Sequence, residues 1–422
     1  MKTLLALTTL FFLCSNYLAG NNKSDTLQKL FPESFQVSVI NPGSNDLNDV
    51  KVVLILDSIK KRNPDFNPNS FVVLESNVME IPSQYINQES QQVGKIIIVS
   101  DFKAKEKKLF TIRYNKSKII TRSYKQRAYA ELSEKSGGKW VNRKYEGGVF
   151  HNVTYSKVPS EATDHSFYYR YEGPGWESDK VGYRFYLDWR NANDIYGKKT
   201  YDMVLKNVGL DGYESYHNMG DWGMDIFKVG KSLGIGSIAM WNNGKVNMVA
   251  KTDSVDCRIL ASGPLQAQIE TRYFGWKVDS LKCFLDSKYS IDAGSRLTTV
   301  KLSLKGNFGK LCTGLIKDSA AVFLSDISTQ TGWCYMATWG KQSLAGDSLG
   351  IAVIFKKKDF VKFEEDKLNH IVILNPDKEG KLVYKFLAAW EQEPGGITTK
   401  AAFIKCLKDE LELLDKPLVV KY

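Results

Sequence analysis

Residues Val181 to Arg190 read VGYRFYLDWR. In an extended chain successive side chains point to opposite faces. Val181, Tyr183, Phe185, Leu187 and Trp189 then share an apolar face, while Arg184, Tyr186, Asp188 and Arg190 share a charged one. A period of two is the signature of a strand with one face on a core. The same alternation puts Tyr168, Arg170 and Glu172 on one face just upstream, and Gln266, Gln268, Glu270 and Arg272 on one face further on.

Strands continue outward from this stretch. Ser237–Trp241, Leu265–Phe274, Arg296–Leu304, Ala320–Leu324, Ser348–Phe355, His370–Leu374 and Lys381–Ala389 all read as strands divided by turns. Strand and helix do not alternate, which argues against a parallel α/β sheet and for an antiparallel sandwich of two large sheets. One helix is expected near the end. Thr398 or Thr399 can cap it, and Phe403, Leu407, Leu411 and Leu414 follow at helical spacing, so it should lie on the outside of a sheet. Residues 21–120 form a unit of their own. Phe35–Ile40 alternates, Asn41-Pro42-Gly43-Ser44 turns the chain, and Val50–Leu56, Phe71–Leu74, Gly94–Val99 and Lys108–Tyr114 are further short strands. The expected fold is mostly β. A small N-terminal antiparallel β-sandwich, accessory in character, precedes a large β-supersandwich over 121–422, galactose-mutarotase-like, with a C-terminal helix.

At 422 residues the chain is long for one domain. The first 20 residues, MKTLLALTTLFFLCSNYLAG, carry Lys2, a short apolar run and small residues at Ala19-Gly20, the pattern of a secretory signal peptide. Export to the periplasm is expected, with a lipid anchor through Cys14 as the alternative; Phe12 and Leu13 stand where lipoprotein processing prefers a small residue. No later segment is long and apolar enough to be transmembrane. The net charge is +11, with the basic residues scattered and no nucleic-acid motif. Such a field favours an anionic substrate. The five cysteines after the leader are odd in number, far apart and free of any CxxC. They read as small buried hydrophobes, with one or two disulfides open.

The densest chemistry runs from Tyr168 to Trp241, where Trp, Tyr, Arg, Asp, Glu and one His interleave. Flat rings beside ionisable groups suit a polar ligand with apolar faces, as a sugar is. His217 sits in Tyr216-His217-Asn218-Met219-Gly220-Asp221-Trp222-Gly223-Met224-Asp225, and an imidazole exchanges protons near neutrality. His165, just before the first polar strand, is the second candidate. Carboxylates are abundant: Glu172, Glu177, Asp179, Asp188, Asp194, Asp221 and Asp225. Two of them could flank a glycosidic bond, or several could hold a divalent cation such as calcium. No EF-hand, zinc spacing, P-loop or GxSxG elbow occurs, and no cofactor is expected. The run Gly230-Lys231-Ser232-Leu233-Gly234-Ile235-Gly236 lacks Walker spacing and reads as a turn.

These residues resemble the domain of unknown function 4861 family, common in polysaccharide-utilisation gene clusters of Bacteroidetes. The resemblance runs from about residue 120 to the C-terminus. It is carried by Trp176-Glu177-Ser178-Asp179-Lys180 with Arg184, Asp194-Ile195-Tyr196 with Lys198, Tyr216-His217 through Gly223-Met224-Asp225, and Lys228-Val229-Gly230 with Gly234 and Gly236. Two positions depart from the family pattern. Met219 stands where members usually carry an acid two residues after the His, and Ser178 stands where Asn is common. The resemblance implies an oligosaccharide dehydratase of the kind that acts in ulvan breakdown, removing water from a non-reducing-end uronic acid to leave a 4,5-unsaturated sugar.

That chemistry is a β-elimination by a carbon–oxygen lyase. A base takes the C5 proton and the 4-oxygen departs. His217 is the expected base, and Tyr216 or Tyr183 the acid for the leaving oxygen. Arg184, with Arg170 and Arg190 behind it, is expected to meet the sugar carboxylate with its planar fork. Trp176 is expected to stack on the ring. Glu177, Asp179 and Asp225 are expected to bind hydroxyls or orient His217, and Lys198, Asp221 and Trp222 complete the substrate set. The other readings are a polysaccharide lyase, a glycoside hydrolase using Glu177 and Asp221, and a non-catalytic binder using Trp176 and Trp222. The expected partner is an acidic oligosaccharide.

Overall fold

A computed structural model describes residues 26–77, 79–87 and 94–422. The expected leader, with Cys14, lies outside the described residues. The chain divides into two compact units: residues up to Lys125 together with Pro417–Tyr422, and Gln126–Lys416. The sequence reading put the boundary at 120/121 and ran the second unit to the C-terminus. Instead, the last strand, Val419–Lys421, lies antiparallel to Glu33–Ile40 in the first unit. Among the described residues no helix is long and apolar enough to cross a membrane.

The first unit is the small antiparallel sandwich. One sheet holds Val419–Lys421, Glu33–Ile40, Lys107–Tyr114, Phe71–Glu75 and Met79–Ile81 in that order. The other holds Leu47–Ile55, Lys95–Phe102 and Ser83–Ile86. Alternate residues such as Val37, Val39, Val52 and Leu54 are buried, and Phe102 of one sheet meets Phe110 of the other at 6.4 Å.

The second unit is the large supersandwich. One layer is a nine-stranded antiparallel sheet that runs from Tyr155–Lys157 at one edge to Ala321–Asp326 at the other. The facing layer is a six-stranded sheet ordered Gly223–Asp225, Asn193–Lys198, Val181–Phe185, Gly175–Ser178, Ala128–Val141 and Lys144–Val153, continued by a five-stranded sheet through the bridges Asn193–Gly234 and Ile235–Leu315. Trp176, Tyr183 and Phe185 fill the space between the layers. Their rings meet Tyr289 at 5.3 Å (Trp176) and 5.6 Å (Phe185) and Phe386 at 5.2 Å (Tyr183).

The glycines of the 230–236 run serve close approach. Gly234 has φ +53° and a Cβ there would stand 2.3 Å from the Asn193 carbonyl oxygen; at Gly236, φ +66°, it would stand 2.6 Å from the Phe386 ring. The long hairpin 128–153, absent from the sequence reading, turns at Asn142 and Arg143 with φ +46° and +63°, the left-handed pair a two-residue hairpin turn requires. The helix forms over Lys400–Asp415. Thr399 caps it by accepting from the Ala402 N–H at 3.2 Å, and Phe403, Leu407 and Leu411 pack onto Ala337, Trp339 and Ile354 of the large sheet. The cysteines among the described residues are unpaired, four of them buried, and burial pushes the Cys257 thiol up to about 12.

Strand Val181–Phe185 ends five residues before the expected Arg190. Asp188 is the reason. Its Oδ1 accepts from the Arg190 N–H at 2.8 Å, and the Asn191 N–H donates to the Asp188 carbonyl at 3.1 Å. This local turn reverses the chain, and Asn193–Lys198 pairs back along the strand.

Candidate active site

Strand register decides which side chains meet. Gly175 lies opposite Arg184, Trp176 opposite Tyr183 and Glu177 opposite Gly182, while Arg184 lies opposite Asp194 and Tyr196 opposite Asp225. Directly opposed residues share a face. Trp176 and Tyr183 therefore point into the core, and Glu177, Arg184, Asp194, Tyr196, Lys198 and Asp225 point to the other side. The segment after Lys198 covers this second face, where Val204, Leu205, Val208, Tyr213 and Tyr216 pack with Tyr171 and Tyr196.

Arg184 is the centre of this face. Its Nε and Nη2 donate to Asp194 Oδ2 at 3.0 and 2.8 Å, Nη2 donates to Asp225 Oδ2 at 2.6 Å, and Nη1 donates to the Tyr216 hydroxyl at 3.0 Å. The Tyr186 hydroxyl donates to the same Asp194 oxygen. The guanidinium also lies over the rings of Tyr186, Tyr196 and Tyr216 at 5.1–5.3 Å. Burial, and then the neighbouring Asp194, hold the Asp225 carboxyl well above the usual carboxylate range; Arg184 and the Phe227 N–H oppose them. Burial likewise raises the Tyr216 phenol, opposed by Arg184. His217 caps this buried network. Its side chain is 46% exposed, its Nε2 lies 3.6 Å from Asp225 Oδ2, and its ring lies 4.6 Å from that of Tyr216.

A second charged group sits beside the first. Arg190 bonds Asp188, reaches Glu172 at 2.7 Å and Asp164 at 3.0 Å, and lies 3.9 Å over the Tyr186 ring. His165 Nδ1 is 2.6 Å from Asp164 Oδ1, and its backbone N–H donates to Glu172 at 3.1 Å. A row of rings links the two histidines: His165 to Tyr213 at 5.9 Å, Tyr213 to Tyr216 at 6.3 Å, Tyr216 to His217 at 4.6 Å. Asp164, His165 and Glu172 bring ligand-type atoms within 4.8 Å of one another and could hold a cation. Arg190 already supplies positive charge to both carboxylates.

Other expected site residues are elsewhere or sealed. Trp176 is buried in the core, where its Nε1–H donates to Thr298 at 2.9 Å, so it has no free face for a sugar. Tyr183 is buried too. Its hydroxyl donates to the Arg296 carbonyl at 2.8 Å and accepts from the Ala388 N–H at 2.9 Å, which removes it as an acid. Glu177 and Lys198 form a fully buried pair at 2.6 Å, and Glu177 also accepts from the Val204 and Leu205 N–H groups at 3.0 and 2.8 Å. Burial raises the Glu177 carboxyl and lowers the Lys198 ammonium, so desolvation outweighs their attraction in both. Arg170 is held by Glu131 and by two carbonyls. Asp179 is held by Arg127 at 2.6 Å and the Gly294 N–H at 2.8 Å. None of these four faces a ligand. Asp221 is exposed, and Trp222 is half-buried against Tyr196 at 6.0 Å.

The model of the domain of unknown function 4861 family matches residues 39–420. The chain belongs to that family. No curated protein matches it. Among solved structures it is similar to a protein in the glycosyl hydrolase family 38 from Enterococcus faecalis, at 8% identity and a TM-score of 0.45 over 93% of this chain and 48% of that one. It is similar also to an alpha-mannosidase from Enterococcus faecalis V583, at 8% identity and a TM-score of 0.44 over 93% and 46%. The chain thus spans about half the length of these two proteins.

In this member of the family, Met219 is exposed and the carboxylate nearest the His217 ring is Asp225. Sequence reasoning did not single out Tyr171 and Glu131 as parts of the charged networks, placed Tyr186 only on the charged face of its strand, and named Asp194 among the acids and in a family block without pairing it with Arg184. The signal for Asp194 is strand register: in a hairpin of 181–185 with 193–198 it falls directly opposite Arg184. The corrected role of Arg184 has the same origin, since its fork is occupied by Asp194 and Asp225 and does not open toward a substrate.

Proposed function

We propose that the chain is a carbohydrate-active carbon–oxygen lyase that eliminates the 4-substituent of a uronic acid, with water leaving in a dehydratase and a sugar in a lyase. The observation that carries this reading is the half-exposed His217 beside Asp225, on a buried network in which Arg184 holds both Asp225 and Tyr216. Net charge of +11 favours an acidic saccharide, and the family resemblance supports the reaction.

With Nε2 facing Asp225, Nδ1 of His217 takes the C5 proton. The electron pair of the C5–H bond becomes the C4=C5 double bond, and the C4–O bond breaks with its pair on oxygen. Tyr216 gives the departing oxygen a proton. The phenolate left behind faces Arg184 Nη1, and the imidazolium faces Asp225. Arg184 is therefore a positioning residue. It opposes the burial and the Asp194 charge that raise the Asp225 carboxyl, and it opposes the burial that raises the Tyr216 phenol. The paired-carboxylate hydrolase reading loses its first member, because Glu177 is sealed beneath Lys198.

The test is incubation with a panel of uronic-acid oligosaccharides followed by mass spectrometry. A product one water lighter with its chain intact is expected for a dehydratase, and a cleaved chain with an unsaturated end for a lyase. A cleaved chain gaining one water and carrying no double bond would refute elimination.

A further inference from the structure

A cavity of about 650 Å³ is lined in part by Tyr186–Trp189 and Asn191. It belongs to none of the roles above. Trp189 lines it, 41% exposed, with no core position of its own. The sequence pattern placed Trp189 on the apolar face with Tyr183 and Phe185, and the Asp188 turn ejects it from that face. The lining combines apolar Val158, Leu187 and Val249 with the short polar groups of Ser160, Thr252 and Asp253. Charges in the wall are mixed: Arg143 and Lys157 stand against Glu161, Asp188 and Asp253. Arg143 donates to the Ser160, Glu161 and Ala162 carbonyls at 3.3–3.4 Å, pinning the strand-to-loop segment that forms the rim. Tyr186 is part of the wall, with its hydroxyl turned to Asp194 in the Arg184 network.

Each feature narrows the ligand. The volume lies in the range of small-molecule sites. An exposed indole beside short hydroxyl and carboxylate groups suits a ring with one C–H face and a rim of hydroxyls. Two basic side chains against three acidic ones give no excess of positive charge for a carboxylate, which favours an uncharged ring over a uronate. We propose that this cavity is a second saccharide site, taking a neutral pyranose ring stacked on Trp189. The inference rests on the carbohydrate reading of the chain, but the binding it predicts does not require turnover.

The test is calorimetry and saturation-transfer NMR with neutral methyl pyranosides and their disaccharides. It uses the full chain, Trp189→Ala, Trp189→Phe and His217→Ala. Binding to the full chain and to His217→Ala is expected to be equal, to weaken about tenfold in Trp189→Ala, and to return to within about threefold in Trp189→Phe, the scale of one aromatic contact. No binding at millimolar sugar, or equal binding by Trp189→Ala, would overturn the site. Neutral-sugar binding that depends on Trp189, with no uronate eliminated, would keep this site and remove the proposed reaction. Elimination without such binding would do the reverse.

Discussion

Two ion-paired groups share one face of the six-stranded sheet and differ in a single respect. Glu177 and Lys198 bond each other at 2.6 Å with no exposure, and backbone amides take up the remaining carboxylate capacity. Arg184, Asp194 and Asp225 are buried as deeply, yet Asp225 ends against a half-exposed imidazole. The first pair holds the covering segment 204–205 onto the sheet. The second reaches solvent through a group that can move a proton. Burial and charge are common to both, so neither marks a reactive site; the titratable edge does.

The contrast can be broken by substitution. Arg184→Met leaves Asp194 and Asp225 buried without a counter-charge, and should cost about 3–5 kcal/mol of stability in chemical denaturation. A loss below about 1 kcal/mol would mean the carboxylates are not held as described. Asp225→Asn keeps the shape and removes the carboxyl group facing the imidazole. Its kcat should fall by about a hundredfold or more with KM little changed and the fold intact; an unchanged kcat would detach Asp225 from the chemistry.

Glu177→Gln sharpens the comparison from the sealed side. Because burial raises the Glu177 carboxyl in the folded state, its contribution is present below the ordinary glutamate range and is lost as pH rises through the raised value. The stability difference between the parent chain and Glu177→Gln should therefore shrink as pH climbs from about 4. A difference that grows with pH would show the pair to be net attractive. Activity of the folded variant should match the parent. The smallest effect is expected at Asp221, which is exposed: Asp221→Ala should change stability by no more than about 0.5 kcal/mol.

The alternation of 181–185, the seven later strands and the capped helix were legible because each is a local pattern of period two or 3.6. The company of His217, Tyr216, Arg184 and Asp225 was legible too, as residue types crowded into one run. What failed was long-range or turn-made. Trp176 looked available because its own strand shows only four residues, and its face is set by lying opposite Tyr183. Arg184 looked open because Asp194 and Asp225 reach it only through sheet pairing. Trp189 moved to a cavity wall because Asp188 turned the chain three residues after the strand ended.

The central claim is that His217 removes a proton from a uronic acid. The direct measurement is the near-ultraviolet absorbance of the unsaturated sugar, followed with the parent chain and with His217→Ala on one acidic oligosaccharide. The account predicts a steady rise for the parent and a rate at least about a hundredfold lower for the variant, with unchanged unfolding. Equal rates would contradict it.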